Sequence, residues 1–382
     1  MSSPFQGLKV IDLSQIYNGP YATYLMALGG AEVIKIEPPG GEPLRKRGVV
    51  GGAALPFAML NGGKASVVLD LKTEDGKAAL IDLIRTADVI VENFAPGVMD
   101  RLGVGWELLH AVNPKLIYAS SSGYGRDGPY AAFPAMDLTI QAMGGVMHTT
   151  GFADRPPVKA GPAMADFFAG IHLYGAIATA LYDREHTGVA RRVEVSMQDA
   201  VYASLSSSLG MYWSTKGESP ARTGNRHGGL AESPYNVYPT SDGFIAIICV
   251  GEAHWRSLCG LMDQTALADD PRFSSLKARV DHMDEIDETV SAWTIRHSKA
   301  ELFERMMAAK VPCAPVRTLD EVMHDPNMHA RGSLVWQDHP DLGRIVVQQT
   351  PFRFEGVEPV GITPSRPLGS DTQAVLAKHG HV

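Results

Sequence analysis

The glycines of GYGRDGPY, Gly123–Tyr130, have the Gly-x-Gly-x-x-Gly spacing of dinucleotide-binding proteins. In those proteins the glycines follow the first strand and lead directly into a helix whose amino end binds the pyrophosphate. Here they follow about the fifth predicted strand, and Pro129 and Pro134 oppose a regular helix after them. The segment therefore predicts a glycine-rich turn at the end of a strand, and NAD binding is disfavoured.

Two other groups of side chains are of types that bind ligands. Asn93 and Phe94 end the apolar run VIVENF, at the position where open α/β sheets bind their ligands. An asparagine at a strand end is also a common turn residue. Arg101, Lys35 and the run Arg45–Arg47 could bind phosphates, although a run of charges is usually a solvated face.

Asp166 lies near the start of the longest apolar helical segment, within GPAMADFFAG. The residues alone favour a structural role, because an acidic side chain caps or stabilises the first turn of a helix. The signatures GxxxxGK[ST], GxSxG and HExxH are absent. The 13 histidines are scattered, and His379 and His381 belong to a tail, so we expect no metal site.

Composition describes an ordinary globular protein, since 45% of the 382 residues are hydrophobic and 20% are charged. The amino-terminal MSSPFQGLKV lacks the pattern of a secretory signal, and no apolar run approaches the length of a membrane helix. Cys249, Cys259 and Cys313 form no CxxC pair, which favours reduced thiols and a cytoplasmic protein. The net charge of −8 argues against nucleic-acid binding.

The first 200 residues alternate between β-rich runs and helical patterns, which predicts an α/β fold with a mostly parallel sheet covered on both faces. One long helix, at about 166–183, is apolar on most sides and is predicted to be buried. The Gly-, Pro- and Ser-rich segment 217–234 predicts a linker to a second domain with strand-like FIAIICV. Strands are expected at 8–14, 31–37, 64–71, 88–94, 114–120 and 191–197, with two more patterns in SLVWQ and GRIVVQQTPFRF.

Five motifs then occur in order: YNGPYATYLMALGGAEVIKIEPPGGEPLR, VENFAPGVMDRLG, SGYGRDGP, TTGFADRPPVKAGPAMADFFAG and VEVSMQDAV. Together they resemble the family III CoA-transferases, which include formyl-CoA transferase and the carnitine CoA-transferases. The resemblance extends through PYNVYPTSDG to the closing PFRF and PLGSDT, and so covers nearly the whole chain. It implies that GYGRDGPY is part of a coenzyme A site.

The resemblance also implies the architecture. Members of this family are interlocked homodimers in which two ring-like chains thread through each other. Each chain has a Rossmann-like large α/β domain and a smaller α+β domain. Carried onto this chain, residues 1–216 form the large domain, 217–325 form the small domain, and 326–382 return to the large domain.

Site residues carry over in the same way. The nucleophile of the family falls on Asp166, whose place in the first turn of a helix is expected to keep it ionised. Substrate positions, aligned loosely, fall on Met136, on Glu252 and on the glycine loop Gly228 and Gly229. Coenzyme A contacts fall on Tyr17, Asn18, Leu69 to Lys72, Asn93, Phe94, Arg101 and the loop that reaches Asp137.

The implied reaction transfers CoA from an acyl-CoA to a carboxylic acid through an aspartyl anhydride and an aspartyl-CoA thioester, with CoA as part of the substrate and no tightly bound cofactor. Two alternatives stay open. The racemase branch has His-Asp where this chain has Met136-Asp137, which disfavours racemisation, whereas Glu252 falls near a racemase glutamate. The second alternative is a non-catalytic subunit that binds CoA. Tyr17 replaces the glutamine of the formyl-CoA enzyme, so specificity for formate or oxalate is not inherited.

Overall fold

The computed structural model describes residues 3–47 and 54–378, so the histidines at 379 and 381 lie outside the described residues. The strands are β1 (Lys9–Asp12), β2 (Glu32–Glu37), β3 (Ala65–Val68), β4 (Val89–Glu92), β5 (Ile117–Ser122), β6 (Arg192–Ser196), β7 (Tyr235–Thr240), β8 (Gly243–Ile248), β9 (Cys313–Pro315), β10 (Leu334–His339) and β11 (Gly343–Gln348).

The helices of the described residues follow in the same order, and two 3₁₀ turns lie at Ala203–Leu205 and Thr265–Ala268. They are α1 (Asn18–Leu28), α2 (Pro43–Arg47), α3 (Leu55–Asn61), α4 (Glu74–Ile84), α5 (Val98–Arg101), α6 (Trp106–Val112), α7 (Asp137–Met143), α8 (Val146–Thr149), α9 (Met164–Thr187), α10 (Met197–Tyr202), α11 (Ser206–Ser214), α12 (Glu252–Leu261), α13 (Leu276–Asp281), α14 (Met283–Thr294), α15 (Lys299–Ala308), α16 (Leu319–Met323), α17 (Pro326–Ala330) and α18 (Thr372–Ala377).

The first six strands form one parallel sheet in the order β3-β2-β1-β4-β5-β6. β1 pairs with β2 on one side and with β4 on the other, in register at Val10 with Val33 and Val89. The order of the strands therefore reverses between β1 and β4. This is the doubly wound arrangement in which ligands bind at the point of reversal, beyond the carboxyl ends of the strands. The predicted α/β fold is confirmed.

Neighbouring residues of each strand bury their side chains on opposite faces of the sheet, because successive side chains of a strand alternate. Ile11 and Ile90 pack in one apolar cluster with α4 and α6. Val10 and Val89 pack in another with α1 and α9. Apolar residues at consecutive positions are what a sheet covered by helices on both faces requires. The predicted covering on both faces is confirmed.

The long helix α9 is buried on one face only, which corrects the prediction that apolar packing surrounds it. Leu173 and Ile177 are fully buried at helical spacing, whereas Ile171 is 46% and Tyr182 is 67% exposed. By length and composition alone α9 could cross a membrane. Core helices of water-soluble proteins pass the same test, and the buried face of α9 packs on the sheet. This composition is therefore weak evidence for a membrane span.

A buried ion pair fixes the first turn of α1 against the sheet. Lys64 Nζ lies 2.9 Å from Asp12 Oδ2, and both side chains are almost fully buried. The same ammonium donates to Pro20 O and to Thr23 Oγ1, both in α1, and Thr23 Oγ1 donates to Asp12 Oδ2 at 2.7 Å. Burial raises the pKa of Asp12, but the charges of Lys64 and Lys35 outweigh it and leave that pKa lowered. The lysine, β1 and α1 therefore form one rigid unit.

Contacts divide the described residues into two compact units. The first lies within 1–144, 161–201 and 325–382, and holds the parallel sheet and the β10-β11 hairpin. The second lies within 145–160 and 202–324, and holds the antiparallel sheet β7-β8-β9 with α12 to α15. The units differ from the predicted domains in the place of the first boundary and in the added segment 145–160. The predicted domain limits stay a prediction.

We predict that two glycine-to-alanine changes in α9 have opposite effects. A Cβ on Gly170 would lie 2.7 Å from Asn18 O of α1, so Gly170→Ala should lower the free energy of unfolding by about 1–2 kcal/mol despite the better helix propensity of alanine. A Cβ on Gly175 meets nothing within 4 Å, so Gly175→Ala should raise it by about 0.5–1 kcal/mol. Thermal and urea unfolding measure both. Equal stabilisation by the two changes would contradict the close approach of α1 and α9.

Candidate active site

A cavity of about 260 Å³ lies at the carboxyl edge of the sheet, where the strand order reverses. Its walls come from segments that follow different strands: Leu13 after β1, Leu69 to Lys72 after β3, and Phe94 and Val98 after β4. Such a cavity forms here because the connections of β1 and β4 leave the sheet in opposite directions. Three residues assigned by resemblance, Leu69, Lys72 and Phe94, are thereby brought together from positions up to 25 apart.

Asn93 lies beside this cavity, but its amide is bonded within the protein. Its Nδ2 donates to Gln15 O at 2.8 Å and to Asn18 Oδ1 at 2.7 Å, and its Oδ1 accepts from Gln15 N at 2.7 Å. The side chain therefore fixes the connection between β1 and α1. The polar atoms of Asn93 are therefore already used in these hydrogen bonds. Both Asn93 and Asn18 support the conformation of the loop between β1 and α1.

Two of the cationic side chains proposed from sequence as phosphate ligands are engaged elsewhere, which corrects that expectation. Lys35 is 1% exposed, donates to Ser14 O at 2.8 Å and lies 3.6 Å from Glu42. Arg45 makes a two-point contact with Glu37, at 2.6 and 2.7 Å. Both cations are neutralised by buried carboxylates, so neither is available to a phosphate.

Arg101 and Lys72 are exposed cations at the edge, and Lys46 and Arg47 of α2 are exposed as well. Arg101 ends α5, whose first residue Val98 lines the cavity. Lys72 lines the cavity itself and is exposed. Lys72 can therefore contact an anionic group of a molecule bound there, and Arg101 lies on the helix that contributes Val98 to the wall.

Tyr17 connects this edge to Asp166. Its ring stacks on Phe167 with centroids 5.9 Å apart and planes at 25°, and Tyr21 packs edge-on against Phe167 with centroids 5.1 Å apart. Phe167 follows Asp166 directly in the first turn of α9. Because α9 precedes β6, a parallel neighbour of β5, its amino end lies at the carboxyl edge of the sheet. Asp166 and the cavity are thus at the same edge.

The Asp166 carboxylate is 9% exposed, and burial raises its pKa to about 7. The nearby charge of Asp137 raises this pKa further, while Arg47 lowers it. This corrects the expectation that the helix end keeps Asp166 ionised. Asp137 Oδ1 accepts from the backbone N–H of Ala165 at 2.9 Å, so Asp137 occupies the favourable position at the start of α9. Asp166 is buried and does not have this capping position.

Asp137 is held in turn by Gln141, whose Nε2 donates to Asp137 Oδ2 at 2.7 Å. Its carboxylate is therefore used within the protein, beside Asp166, and a contact with coenzyme A remains a prediction. Met136 precedes it and is 53% exposed. The thioether of Met136 carries no acid or base at the position where racemases have histidine.

The other substrate positions lie in the second unit. Gly228 and Gly229 form a turn against α11, where added Cβ atoms would lie 3.1 Å from Ser208 Oγ and 3.2 Å from Ser207 O. Glu252 begins α12, and its Oε2 accepts from Arg279 Nη1 at 2.7 Å. That hydrogen bond lowers the pKa of Glu252, so it is a weak base. The roles assigned to these three residues stay predictions.

Three residues of this edge were missed from sequence. Phe167 packs against Tyr17, Glu42 binds the connection after β1, and Glu92 Oε2 accepts from Phe94 N at 2.9 Å. Glu92 ends β4 and is 7% exposed, and burial raises its pKa to about 7. The one available signal was that each lies inside a quoted motif, and that Phe167 and Glu92 are next to residues that had been assigned a role.

We predict that Asp166→Asn stabilises the protein more at pH 8 than at pH 4. A carboxyl group whose folded pKa is about 7 and whose unfolded pKa is 3.8 binds its proton more tightly in the folded state. Its ionisation therefore costs stability progressively as pH rises from about 4 to 7, by about 4 kcal/mol at ~1.4 kcal/mol per unit. Asparagine removes this dependence. Urea unfolding of both proteins across that range measures the difference, and a constant difference would contradict the raised pKa.

The sequence and fold of this chain match known proteins along its length. A family model described as CoA-transferase family III matches residues 5–372. Acetyl-CoA:oxalate CoA-transferase of Acetobacter aceti is 39% identical over 378 residues, which cover 98% of this chain and 95% of that protein. Succinate–glutarate CoA-transferase of Agrobacterium fabrum is 37% identical over 391 residues, with 98% and 95% covered.

A solved structure shows the same fold. The crystal structure of a CAIB/BAIF family protein from Brucella suis superimposes with a TM-score of 0.88 at 34% identity, covering 99% of this chain and 100% of that one. The resemblance stated from the five ordered motifs is confirmed. The chain belongs to CoA-transferase family III.

Proposed function

We propose that this protein is an acyl-CoA:carboxylate CoA-transferase with Asp166 as its nucleophile. One observation carries the proposal: a buried carboxylate with a raised pKa lies at the sheet edge that holds the cavity at the strand reversal. Buried acids with shifted pKa values concentrate at catalytic sites. The family of the chain supplies the reaction class.

The reaction proceeds through three covalent intermediates on Asp166, namely two anhydrides and one thioester. The carboxylate attacks the thioester carbonyl of the donor and expels CoA thiolate, which leaves a mixed anhydride. The thiolate attacks the Asp166 carbonyl carbon, releases the donor acid and forms an aspartyl-CoA thioester. The acceptor carboxylate attacks this thioester to give a second anhydride and thiolate, and the thiolate then attacks the acceptor carbonyl. The products are the new acyl-CoA and free Asp166.

The raised pKa of Asp166 addresses the main energetic difficulty. An ordinary aspartate at ~3.9 leaves a tetrahedral intermediate more readily than a thiolate of pKa ~8.5, a disadvantage of about 6 kcal/mol at ~1.4 kcal/mol per unit. A pKa of about 7 shortens the gap to roughly 1.5 units, or about 2 kcal/mol. Backbone donors to an oxyanion typically supply ~3–4 kcal/mol. Burial of Asp166 thus lowers part of the leaving-group disadvantage before substrate binds.

Coenzyme A suits the cavity and its rim. The cavity is smaller than the roughly 300–1,000 Å³ of sites that enclose a whole drug-sized ligand, so it suits one end of a long molecule. We propose that the nucleotide end lies there, with Lys72 and Arg101 beside its phosphates, and that the thioester reaches Asp166. Binding energy from this remote end can be used at the reacting centre.

The relatives guide the choice of acids. Their names include oxalate, succinate and glutarate, so short dicarboxylic acids are the acceptors we propose to test first. Tyr17 argues against assuming oxalate. We also propose, from the resemblance, that the chain acts as a homodimer in the cytoplasm. Racemisation is disfavoured by the exposed Met136 and by the arginine-bound Glu252.

The decisive experiment incubates the protein with a panel of CoA thioesters and short carboxylic acids and follows acyl-CoA exchange by mass spectrometry. We expect exchange with at least one pair, and an adduct that maps to Asp166. Asp166→Asn should lose at least about a thousandfold in kcat, because the nucleophile is gone. Asp183→Asn is the matched control: it lies on α9 in a half-exposed pair with Arg191 and should stay within about twofold.

Other outcomes separate the alternatives. Full turnover by Asp166→Asn would end the assignment of the nucleophile. CoA binding without exchange across the panel would favour a non-catalytic subunit. Deuterium incorporation at the α-carbon of a 2-methylacyl-CoA would favour a racemase.

Binding of the nucleotide end can be tested apart from catalysis. Lys72→Gln should weaken binding of free CoA about three- to tenfold in calorimetry, and less at high salt, because the lost contact is electrostatic. Lys115→Gln is the control, since Lys115 precedes β5 at the opposite edge of the sheet. Equal affinities of the two variants would place the CoA phosphates elsewhere.

A further inference from the structure

Ile16 has a backbone conformation that its side chain opposes. Its φ is +66°, in the left-handed region where β-branched residues are outliers. It lies in the connection between β1 and α1, directly before Tyr17. Strained residues persist only where the surrounding structure holds them, and they are concentrated at functional sites.

The residue that holds Ile16 is Glu42. Its Oε2 accepts from the backbone N–H of Ile16 at 3.0 Å, across 26 residues of sequence, and the side chain is 1% exposed. The other oxygen, Oε1, lies 3.6 Å from the ammonium of Lys35. A buried, charged acceptor makes a stronger hydrogen bond than a neutral one, so this contact can offset the strain at Ile16.

The same carboxylate also contacts the start of α2, the helix that leads to Arg47. Glu42 Oε2 also accepts from the N–H of Leu44 at 3.2 Å, in the first turn of α2. α2 ends at Arg47, the cation whose charge acts on Asp166. Glu42 therefore contacts both the segment that carries Tyr17 and the helix that carries Arg47.

Neighbouring contacts show that the conformation of the connection is specified residue by residue. Lys35 donates to Ser14 O, Asn93 binds both backbone groups of Gln15, and Glu42 binds Ile16. None of these hydrogen bonds is to the backbone of the next residue, Tyr17. The ring of Tyr17 stacks on Phe167. The left-handed residue Ile16 therefore directly precedes the residue whose ring makes this stack.

We propose that Glu42 is a positioning residue: its buried carboxylate holds Ile16 in the left-handed conformation and so keeps the Tyr17 ring on Phe167, beside Asp166. Its catalytic consequence rests on the function proposed above. Its structural content, the link from Glu42 through Ile16 to the ring stack, is independent of that function.

The test uses glycine, which adopts the left-handed conformation without strain. In Glu42→Ala the hydrogen bond is lost and Ile16 should leave the left-handed region. Adding Ile16→Gly should restore the conformation, because glycine does not need the carboxylate. The full-length protein carries 3-fluorotyrosine at position 17, and its fluorine resonance reports the ring current of Phe167. Phe167→Leu gives the reference value for a lost stack.

We expect the resonance in Glu42→Ala to move most of the way to the Phe167→Leu value, and to move back in the double variant. Glu42→Gln keeps an acceptor oxygen and should move less. The double variant also guards against a folding defect, since a purely structural role for Glu42 predicts no recovery when Ile16 is replaced. An unchanged resonance in folded Glu42→Ala overturns the proposal, as does a lost stack that glycine fails to restore.

Measurements of kcat and KM test the effect of Glu42 on catalysis, with the thioester and acid that the panel identifies as substrates. Glu42→Ala should lower kcat about tenfold or more with a smaller change in KM, and Ile16→Gly should recover part of kcat. If the wild-type protein transfers no CoA, the proposed function fails while the fluorine experiment still decides the role of Glu42. If transfer occurs and kcat is unchanged in Glu42→Ala, the positioning role fails while the function stands.

Discussion

The arrangement of this site depends on the ion pair between Asp12 and Lys64. Asp12 ends β1, the central strand at which the sheet reverses, and Lys64 precedes β3 at the sheet edge. Lys64 binds Asp12, Pro20 O and Asn61 Oδ1 at once, so it joins β1, α1 and α3. Burial lowers the pKa of Lys64 to about 8, and Asp12 opposes that shift. A buried pair of this kind is stabilising only when its remaining hydrogen bonds are satisfied, as they are here.

That pair determines where α1 begins, and α1 determines where α9 can lie. The two helices approach closely because Gly170 has no side chain to meet Asn18. The approach brings Phe167 against Tyr17 and Tyr21, and it buries the neighbouring Asp166. The raised pKa of Asp166 is therefore a consequence of helix packing. In the function proposed above, the same burial that costs folding stability would make the carboxylate a poorer leaving group, and such a loss of stability is common where a site serves function.

Charge is distributed unevenly around this edge, and the distribution has a physical reason. Three cations form ion pairs with acidic side chains: Lys35 with Glu42, Lys64 with Asp12, and Arg45 with Glu37. Buried charges must be paired in this way. These pairs shape the connections that surround the cavity. Lys72 and Arg101 stay at the exposed rim, where an anionic ligand can be bound without the cost of breaking a buried pair.

Local sequence patterns were enough to predict the alternation of strands and helices, the burial of the strands on both faces and the family. These properties follow from local patterns, namely apolar runs, helix starts and ordered motifs, and each can be read within a few residues. The resemblance assigned Leu69, Lys72 and Phe94 to one ligand, and the structure brings them to one edge because parallel strands have their carboxyl ends together.

The pairing of the charged side chains and the pKa of each buried acid depend on contacts that the folded chain makes. Lys35 was predicted as a phosphate ligand from its residue type, but in the folded chain Glu42 and Ser14 bind it. Asp166 was predicted to be ionised, but Asp137, 29 residues away, binds the start of its helix, and burial raises the pKa of Asp166. Desolvation and hydrogen-bond partners arise from contacts between residues far apart in the chain, and no local pattern of residue types encodes them.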